Sequence, residues 1–477
     1  MVRFDLDQSA GVHFAIQIAF PVRESLGGTM PLNPLKYLDR RIPRYTSYPT
    51  ALQFGSDVDA GSYERWLTDL SPKAPVSIYL HVPFCAELCL YCGCHTTVAR
   101  RYAPIAAYAE LLEREIALVG KRLARQTVTQ IHWGGGTPTM LLPQDMMRVM
   151  TALRANFTIT PTTEIAIEID PRSLTREHIS AMAEIGVTRA SLGVQDFEER
   201  VQRAIRRLQS YEQTARAADG LRDAGIASIN LDLMYGLPHQ TVATIATTAK
   251  HALALGPDRI ALFGYAHVPW MKRHQKLIPE EALPDSTARF GQSRTAAEIL
   301  VGAGYQQIGL DHFARGDDPL ARRQREGRLH RNFQGYTTDE TPNLVGFGPS
   351  AIGSLPDGFV QNAPSMVVYR DAIMTGRPAT ARGRVLSQED RLRASIIERL
   401  MCDLRVDVAE VCKTHNARPD HFATELCQLD ELVNDGIVER TGTKIHVPEQ
   451  GRAFVRAVCA TFDAYLSKYE MRFSRAS

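Results

Sequence analysis

The stretch VSIYLHVPFCAELCLYCGC, residues 76–94, joins a buried strand to a cluster of thiols. Its first seven residues are almost wholly apolar, as a strand covered on both faces requires. Five more β-rich runs recur downstream: VTQIHW from Val128, EIAIEID from Glu164, RASLGV from Arg189, INLDLMYG from Ile229 and RIALFGY from Arg259. Pieces such as AAYAELLEREIALVGKRLA, with apolar residues every three or four positions, separate them as amphipathic helices. Strand, helix, strand implies parallel pairing, and six such units predict an α/β fold, an open or closed barrel whose chemistry gathers at the C-terminal strand ends. A seventh strand, YQQIGLDHF from Tyr305, extends this domain, which is expected over residues 72–355.

Four of the eight cysteines crowd into ten residues, which suits a metal site better than a disulfide framework and implies a reducing, cytoplasmic setting. Cys85, Cys89 and Cys92 have CxxxCxxC spacing on the loop after the first strand. Three thiolates on a four-iron cubane leave one iron open to chelate a small molecule, whereas a structural cluster would take a fourth. Cys94 is the alternative fourth ligand, or half of a zinc site with Cys92. Its spacing is awkward for the same cubane, and there is no second CxxC pair to complete a zinc tetrahedron.

Gly134-Gly135-Gly136-Thr137-Pro138 follows the second strand. Glycines there allow backbone to approach a ligand, and exposed amides could receive it. Glu168 and Asp232 are carboxylates inside apolar strands and need partners, either local structure or a ligand's amine and hydroxyls. Gln195 and Arg207 are comparable polar positions beyond the fourth strand.

With 55 basic and 53 acidic residues, the 477-residue chain has a net charge of +2 and no field to attract nucleic acid or an anionic membrane. No run reaches the length of a membrane span. Residues 1–35 share no pattern with the rest and are expected to be a disordered leader, with Met30 a candidate start. Residues 36–71 are expected to form an N-terminal segment covering the substrate, and 356–385 a linker. From 386 to 477 three helical stretches, a pair-like run TGTKIHVPEQG and a last helix resemble a winged-helix arrangement. Basic residues are sparse between Asp420 and Asp435, so a lid is expected here and not a nucleic-acid reader.

The CxxxCxxC loop with GGGTP after the next strand resembles the radical S-adenosylmethionine (SAM) superfamily. PRYTSYPTA from Pro43, YLHVPFCAELCLYCGC from Tyr79, HWGGGTPT from His132, IEIDP from Ile167, LGVQDF from Leu192, INLDLMYGLP from Ile229, DHFAR from Asp311 and HRNFQGYTT from His330 narrow the likeness to oxygen-independent coproporphyrinogen III oxidases, from about residue 40 to the FSRAS tail. Related haem chaperones usually continue the motif as CDF, whereas this chain has Cys92-Gly-Cys94.

The resemblance implies a radical SAM partial βα barrel with a mostly α-helical C-terminal winged-helix-like domain, one [4Fe-4S] cluster on Cys85, Cys89 and Cys92, and two SAM molecules. By motif matching, Tyr79, Gly135, Glu168 and Ile352 look like contacts of the cluster-bound SAM. Gly136, Thr137, Gln195, Arg207 and Asp232 look like contacts of the second, with Tyr91 and Ala266 adding main-chain bonds. The implied reaction converts the propionates of rings A and B of coproporphyrinogen III to vinyl groups, giving protoporphyrinogen IX for anaerobic haem biosynthesis. Four carboxylates on an apolar macrocycle call for apolar walls and fixed cations, for which Arg44, Arg315 and Arg331 are candidates. Cys94 is a candidate hydrogen or proton donor. An electron donor such as flavodoxin or ferredoxin is implied, and a monomer is expected. The competing readings are a haem chaperone or haem-handling methyltransferase on the same cluster, and a DNA-binding regulator with a redox cluster as sensor.

Overall fold

The computed structural model describes residues 35–466. The six expected strands, β1 (Val76–Val82), β2 (Thr127–Gly135), β3 (Thr158–Ile169), β4 (Arg189–Gln195), β5 (Ser228–Tyr235) and β6 (Arg259–Gly264), lie side by side in chain order, each parallel to the next. Helices Ala103–Gly120, Pro143–Asn156, Arg176–Ile185, Tyr211–Asp223 and Val242–Ala254 connect or flank them. One strand face packs on this layer: Ile78, Trp133, Ile167, Leu192, Leu231 and Ile260 are buried with Leu112, Ile116, Val149 and Met182. Each such side chain contributes about 1.5–3 kcal/mol of burial.

Six further strands complete an open, twelve-stranded sheet. YQQIGLDHF is not one strand but a hairpin, β7 (Tyr305–Ile308) and β8 (His312–Arg315), turning at Gly309 with φ +53° and pairing antiparallel with β6 through β8. β9 (Leu344–Phe347) returns beside β1 in parallel, and β10 (Ile352–Leu355), β11 (Gly358–Asn362) and β12 (Thr380–Val385) extend that edge antiparallel. Residues 356–385 are therefore sheet and helix, not a linker. Their strands are short and rich in Gly and Arg, so neither period nor apolarity marks them in the sequence.

The segment 36–71 divides between two cores. Tyr37, Leu38, Ile42, Tyr45 and Tyr48 are buried with Ile396, Leu400, Phe422 and Phe462 of the C-terminal domain, whereas Val58, Tyr63, Trp66 and Leu67 join the barrel core. The C-terminal domain has the expected winged-helix elements: helix Gln388–Asp403, short helices to Asn434, and a three-stranded sheet of Arg405–Asp407, Lys444–His446 and Glu439–Thr441. It docks on the barrel through Arg399 to Leu329 O (2.7 Å), Tyr336 to Met401 O (2.9 Å) and Arg452 to Gly309 O (2.7 Å). The helical pair that a nucleic-acid reader would use carries Glu425, Asp430 and Glu431, and Lys36 pairs with Glu431 (2.9 Å) and Asp435 (2.5 Å). The expected leader, apart from Leu35, and the FSRAS tail lie outside the described residues.

Candidate active site

β1 ends at Val82, and the chain crosses the C-terminal strand ends as the cysteine loop. Each of the three motif thiols faces a hydrogen-bond donor. Thr96 Oγ1 donates to Cys85 Sγ (3.1 Å), the Cys94 amide to Cys92 Sγ (3.4 Å), and Arg207 Nη1 and Arg172 Nη2 to Cys89 Sγ (3.8 and 3.9 Å). Donors to sulfur favour thiolate. The Cys94 side chain and amide hold the Cys92 thiol down at about 6, while the same contact raises Cys94. Burial raises Cys85.

No three His, Cys, Asp or Glu side chains among the described residues gather closely enough to share one metal ion. A four-iron cubane asks for something else: its thiolates bind different irons and stand farther apart. Three donor-facing thiols on one loop match that donor set.

The glycine loop does not present free amides, contrary to expectation. Gly136 N donates to Val82 O (2.8 Å), Thr137 N to Phe84 O (2.7 Å) and Gly135 N to Glu168 Oε2 (3.2 Å). The glycines instead let two loops touch. A Cβ on Gly136 would lie 2.5 Å from Phe84 O, and one on Gly134 would lie 2.9 Å from Glu168 Oε1; Gly135 has φ +110°. GGGTP thus seats the cysteine loop and leaves its carbonyl side and Glu168 as acceptors.

Glu168, at the end of β3, is 39% exposed in its side chain and accepts from His132 Nε2 (3.1 Å). It is a rim carboxylate, not a desolvated one. Asp232 of β5 lies deeper, accepting from Ser191 Oγ and Asn230 Nδ2 (both 2.8 Å), and burial raises its carboxyl. The two carboxylates line one interior cavity of about 110 Å³ with His132, Ser191, Phe263 and His312. Tyr79 donates to or accepts from His81 Nδ1 (3.0 Å), and its register partner Gly346 packs on Ile352 O.

Arg207 is buried and held by Asp170 (3.1 Å), Gly193 O (2.6 Å) and Gln209 (3.1 Å), with Gln195 beside the same Gly193. Burial disfavours its cation, but Tyr91, Asp170 and Cys89 outweigh that and raise it. Its Nε has no partner in a buried setting, an open donor beside the thiols. Gln195 adopts φ +70°, the left-handed region, after a register shift in β4.

Tyr91 O and Ala266 O, expected to serve a ligand, are joined by one side chain: Gln275 Nε2 donates to both (3.0 and 3.2 Å). Asp170, Arg172 and Gln275 were not singled out from sequence. Asp170 and Arg172 stand in IEIDPR just past a carboxylate already noted, so that motif was the available signal; Gln275 sits in a loop with none.

Of the cations expected for the substrate, Arg44 Nη2 bonds Gly264 O (2.7 Å) at the mouth end of β6. Arg331 is buried with Nη1 4.0 Å from Asp311 and lies over the Tyr336 ring, and neither its Nε nor its Nη1 makes a hydrogen bond. Both border a cavity of about 1110 Å³ with Leu262 and Phe313. Leu262 and its neighbour Phe263 point to opposite faces of β6, so this cavity and the interior one lie on opposite sides of the sheet. Arg315 is a correction: it pairs with Tyr305 and its amide bonds Asp258 O, placing it at the N-terminal end of the barrel, exposed beside Asp317. Antiparallel β8 runs away from the mouth and carries Arg315 with it.

Residues 79–252 match the Radical SAM superfamily. The chain is 52% identical over 443 residues to the oxygen-independent coproporphyrinogen III oxidase of Bradyrhizobium diazoefficiens, covering 93% of this chain and 98% of that one. It is 41% identical to the enzyme of that name from Salmonella typhimurium, covering 89% and 93%. The solved coproporphyrinogen III oxidase from Escherichia coli, described as a radical SAM enzyme, superposes with a TM-score of 0.85 at 39% identity, covering 89% of this chain and 98% of that one. With thiols, glycine loop and strand-end carboxylates in place along that length, the chain belongs to the oxygen-independent coproporphyrinogen III oxidase family of the radical SAM superfamily.

Proposed function

We propose that the chain oxidatively decarboxylates the ring A and ring B propionates of coproporphyrinogen III to vinyl groups, yielding protoporphyrinogen IX in anaerobic haem biosynthesis. The supporting observation is the convergence of Cys85, Cys89 and Cys92 with Glu168 and Arg207 at one end of the parallel strands, in a chain matched along 93% of its length. SAM and a reduced [4Fe-4S] cluster supply, when bound, the 5′-deoxyadenosyl radical that takes a hydrogen from the propionate β-carbon.

The protein orients and shields. Cys85, Cys89 and Cys92 would hold the cluster. Tyr79, Gly135, Glu168 and Ile352 would border the cluster-bound SAM, with Glu168 receiving its ammonium. Gly136, Thr137, Gln195, Arg207 and Asp232 would border a second SAM, with Tyr91 and Ala266 contributing backbone. Arg207 Nε is a donor for an anionic group there. Arg44 and Arg331 would meet substrate carboxylates, and Cys94, outside the ligand set, would donate hydrogen. The C-terminal domain would act as a lid.

The reading further assigns a cytoplasmic monomer served by flavodoxin or ferredoxin. Among the described residues no helix is long and apolar enough to cross a membrane. The acidic face on Glu425–Glu431, occupied by Lys36, speaks against a nucleic-acid reader. The deciding experiment is anaerobic: reconstitute cluster, add SAM, dithionite and coproporphyrinogen III. Two CO₂ released for each protoporphyrinogen IX are expected; haem transfer or methylation without CO₂ release would replace this function with the chaperone or methyltransferase reading.

A further inference from the structure

The chain has to receive single electrons from outside, and one surface segment has the position and chemistry for that. Residues 270–277, WMKRHQKL, follow β6 and are tied to the cysteine loop by three bonds: His274 Nε2 to Cys92 O (2.8 Å), Lys272 Nζ to Cys94 O (2.9 Å) and Gln275 Nε2 to Tyr91 O (3.0 Å). All three partners are carbonyls, so the side chains donate, and the segment lies directly against the loop that carries the cluster ligands.

That outer surface is apolar at its centre and cationic around it. Trp270, Met271 and Leu277 are 49%, 55% and 59% exposed, and Arg41 lies over the Trp270 ring. Arg273 and Lys276 are exposed and add two cations, and no carboxylate stands within residues 270–277, in a chain whose total is only +2. An apolar centre with a charged rim is the composition of a protein interface. A small carboxylated molecule would share that chemistry, but it needs a concave site. None of residues 270–277 lines the interior cavity, the large outer cavity or the shallow pocket at Glu198–Ala204.

We propose that residues 270–277 form the docking face for an acidic one-electron carrier protein that reduces the cluster. The proposal rests on the functional reading above and adds the place and the charge of the partner. In the step the carrier loses one electron and the cluster gains one; no bond is made and no proton moves. Cationic steering raises the encounter rate with an acidic partner and is weakened by salt, and small interfaces are usual for electron-transfer pairs.

The test uses reconstituted enzyme and an acidic flavodoxin as the probe. Binding of oxidised flavodoxin, followed by calorimetry without turnover, is expected to weaken at least tenfold in the Arg273→Glu/Lys276→Glu double variant and to lose most of its salt dependence. The single Lys276→Glu variant, at an exposed side chain, is expected to show a smaller loss. Reduction of the cluster by reduced flavodoxin should slow in parallel, while dithionite-driven turnover stays unchanged. Unaltered flavodoxin binding in both variants would overturn the proposal. Equal losses with flavodoxin and dithionite would also overturn it, assigning the face to substrate entry or to folding. Failure of the unsubstituted enzyme with dithionite would sink the functional reading alone, because the binding arm needs no turnover.

Discussion

Cys85, Cys89 and Cys92 each meet a separate donor, and none can replace another. Changing any one to serine is expected to abolish cluster assembly, measured as iron bound per chain, while Cys94→Ser retains it; the reverse pattern would move the ligand set. Glu168→Gln and Asp232→Asn are expected to weaken SAM binding roughly tenfold to a hundredfold, the value of a charge-assisted bond of about 1.5–3 kcal/mol. Early melting with normal SAM binding would make the carboxylates structural. Glu115, 2% exposed, takes bonds from Gly348 N (2.7 Å), Asn362 (2.6 Å) and Tyr369 (2.7 Å) and anchors the loop leading to Ile352. Burial raises its carboxyl from 4.5 to about 7 against those bonds. The folded chain then binds a proton that the unfolded chain releases, so this contribution is full below about pH 4.5 and is lost as pH rises to about 7, by up to about 3 kcal/mol. Glu115→Gln should flatten the dependence of melting temperature on pH in that window; an unchanged slope would dismiss Glu115 as its source.

At the scale of elements, the glycine loop and the cysteine loop behave as one unit. Gly136→Ala would put a methyl 2.5 Å from Phe84 O and 2.6 Å from Thr96 Oγ1, and Thr96 is the donor to Cys85. The expected outcome is a folded barrel with little bound iron, seen as a normal circular dichroism melt beside a depleted iron content. Full iron loading would show that the loops separate freely. The sequence marked these elements because their strands are long and apolar. It missed β9–β12, whose short runs such as TARGRV carry no period, and it fused β7 with β8 because one glycine is a weak turn signal.

For the whole molecule, the N-terminal segment is the seam between barrel and C-terminal domain. Truncation before residue 386 removes the partners of Tyr37, Ile42, Tyr45 and Tyr48, so limited proteolysis should open residues 36–50. Among the described residues the cysteine loop is held by the barrel and by residues 272–275, and cluster assembly should survive. SAM cleavage is expected to run without matching decarboxylation, because an uncovered radical is quenched by solvent components. Full coupling in the truncated protein would refute the lid.

The sequence by itself determined the parallel barrel, the three-thiol loop, and the carboxylates within β3 and β5, because each depends on residue type and short-range spacing. Only the tertiary structure decided which groups meet. Asp170 with Arg207 beside Cys89, Gln275 on Tyr91, and Lys36 on Glu431 join residues 37 to 395 positions apart, a distance no local period reports. The same holds for Arg315: its place in DHFAR looked equivalent to that of Arg331 in HRNFQGYTT, but strand direction, set by pairing with β6, sends one to the barrel floor and keeps the other beside Asp311.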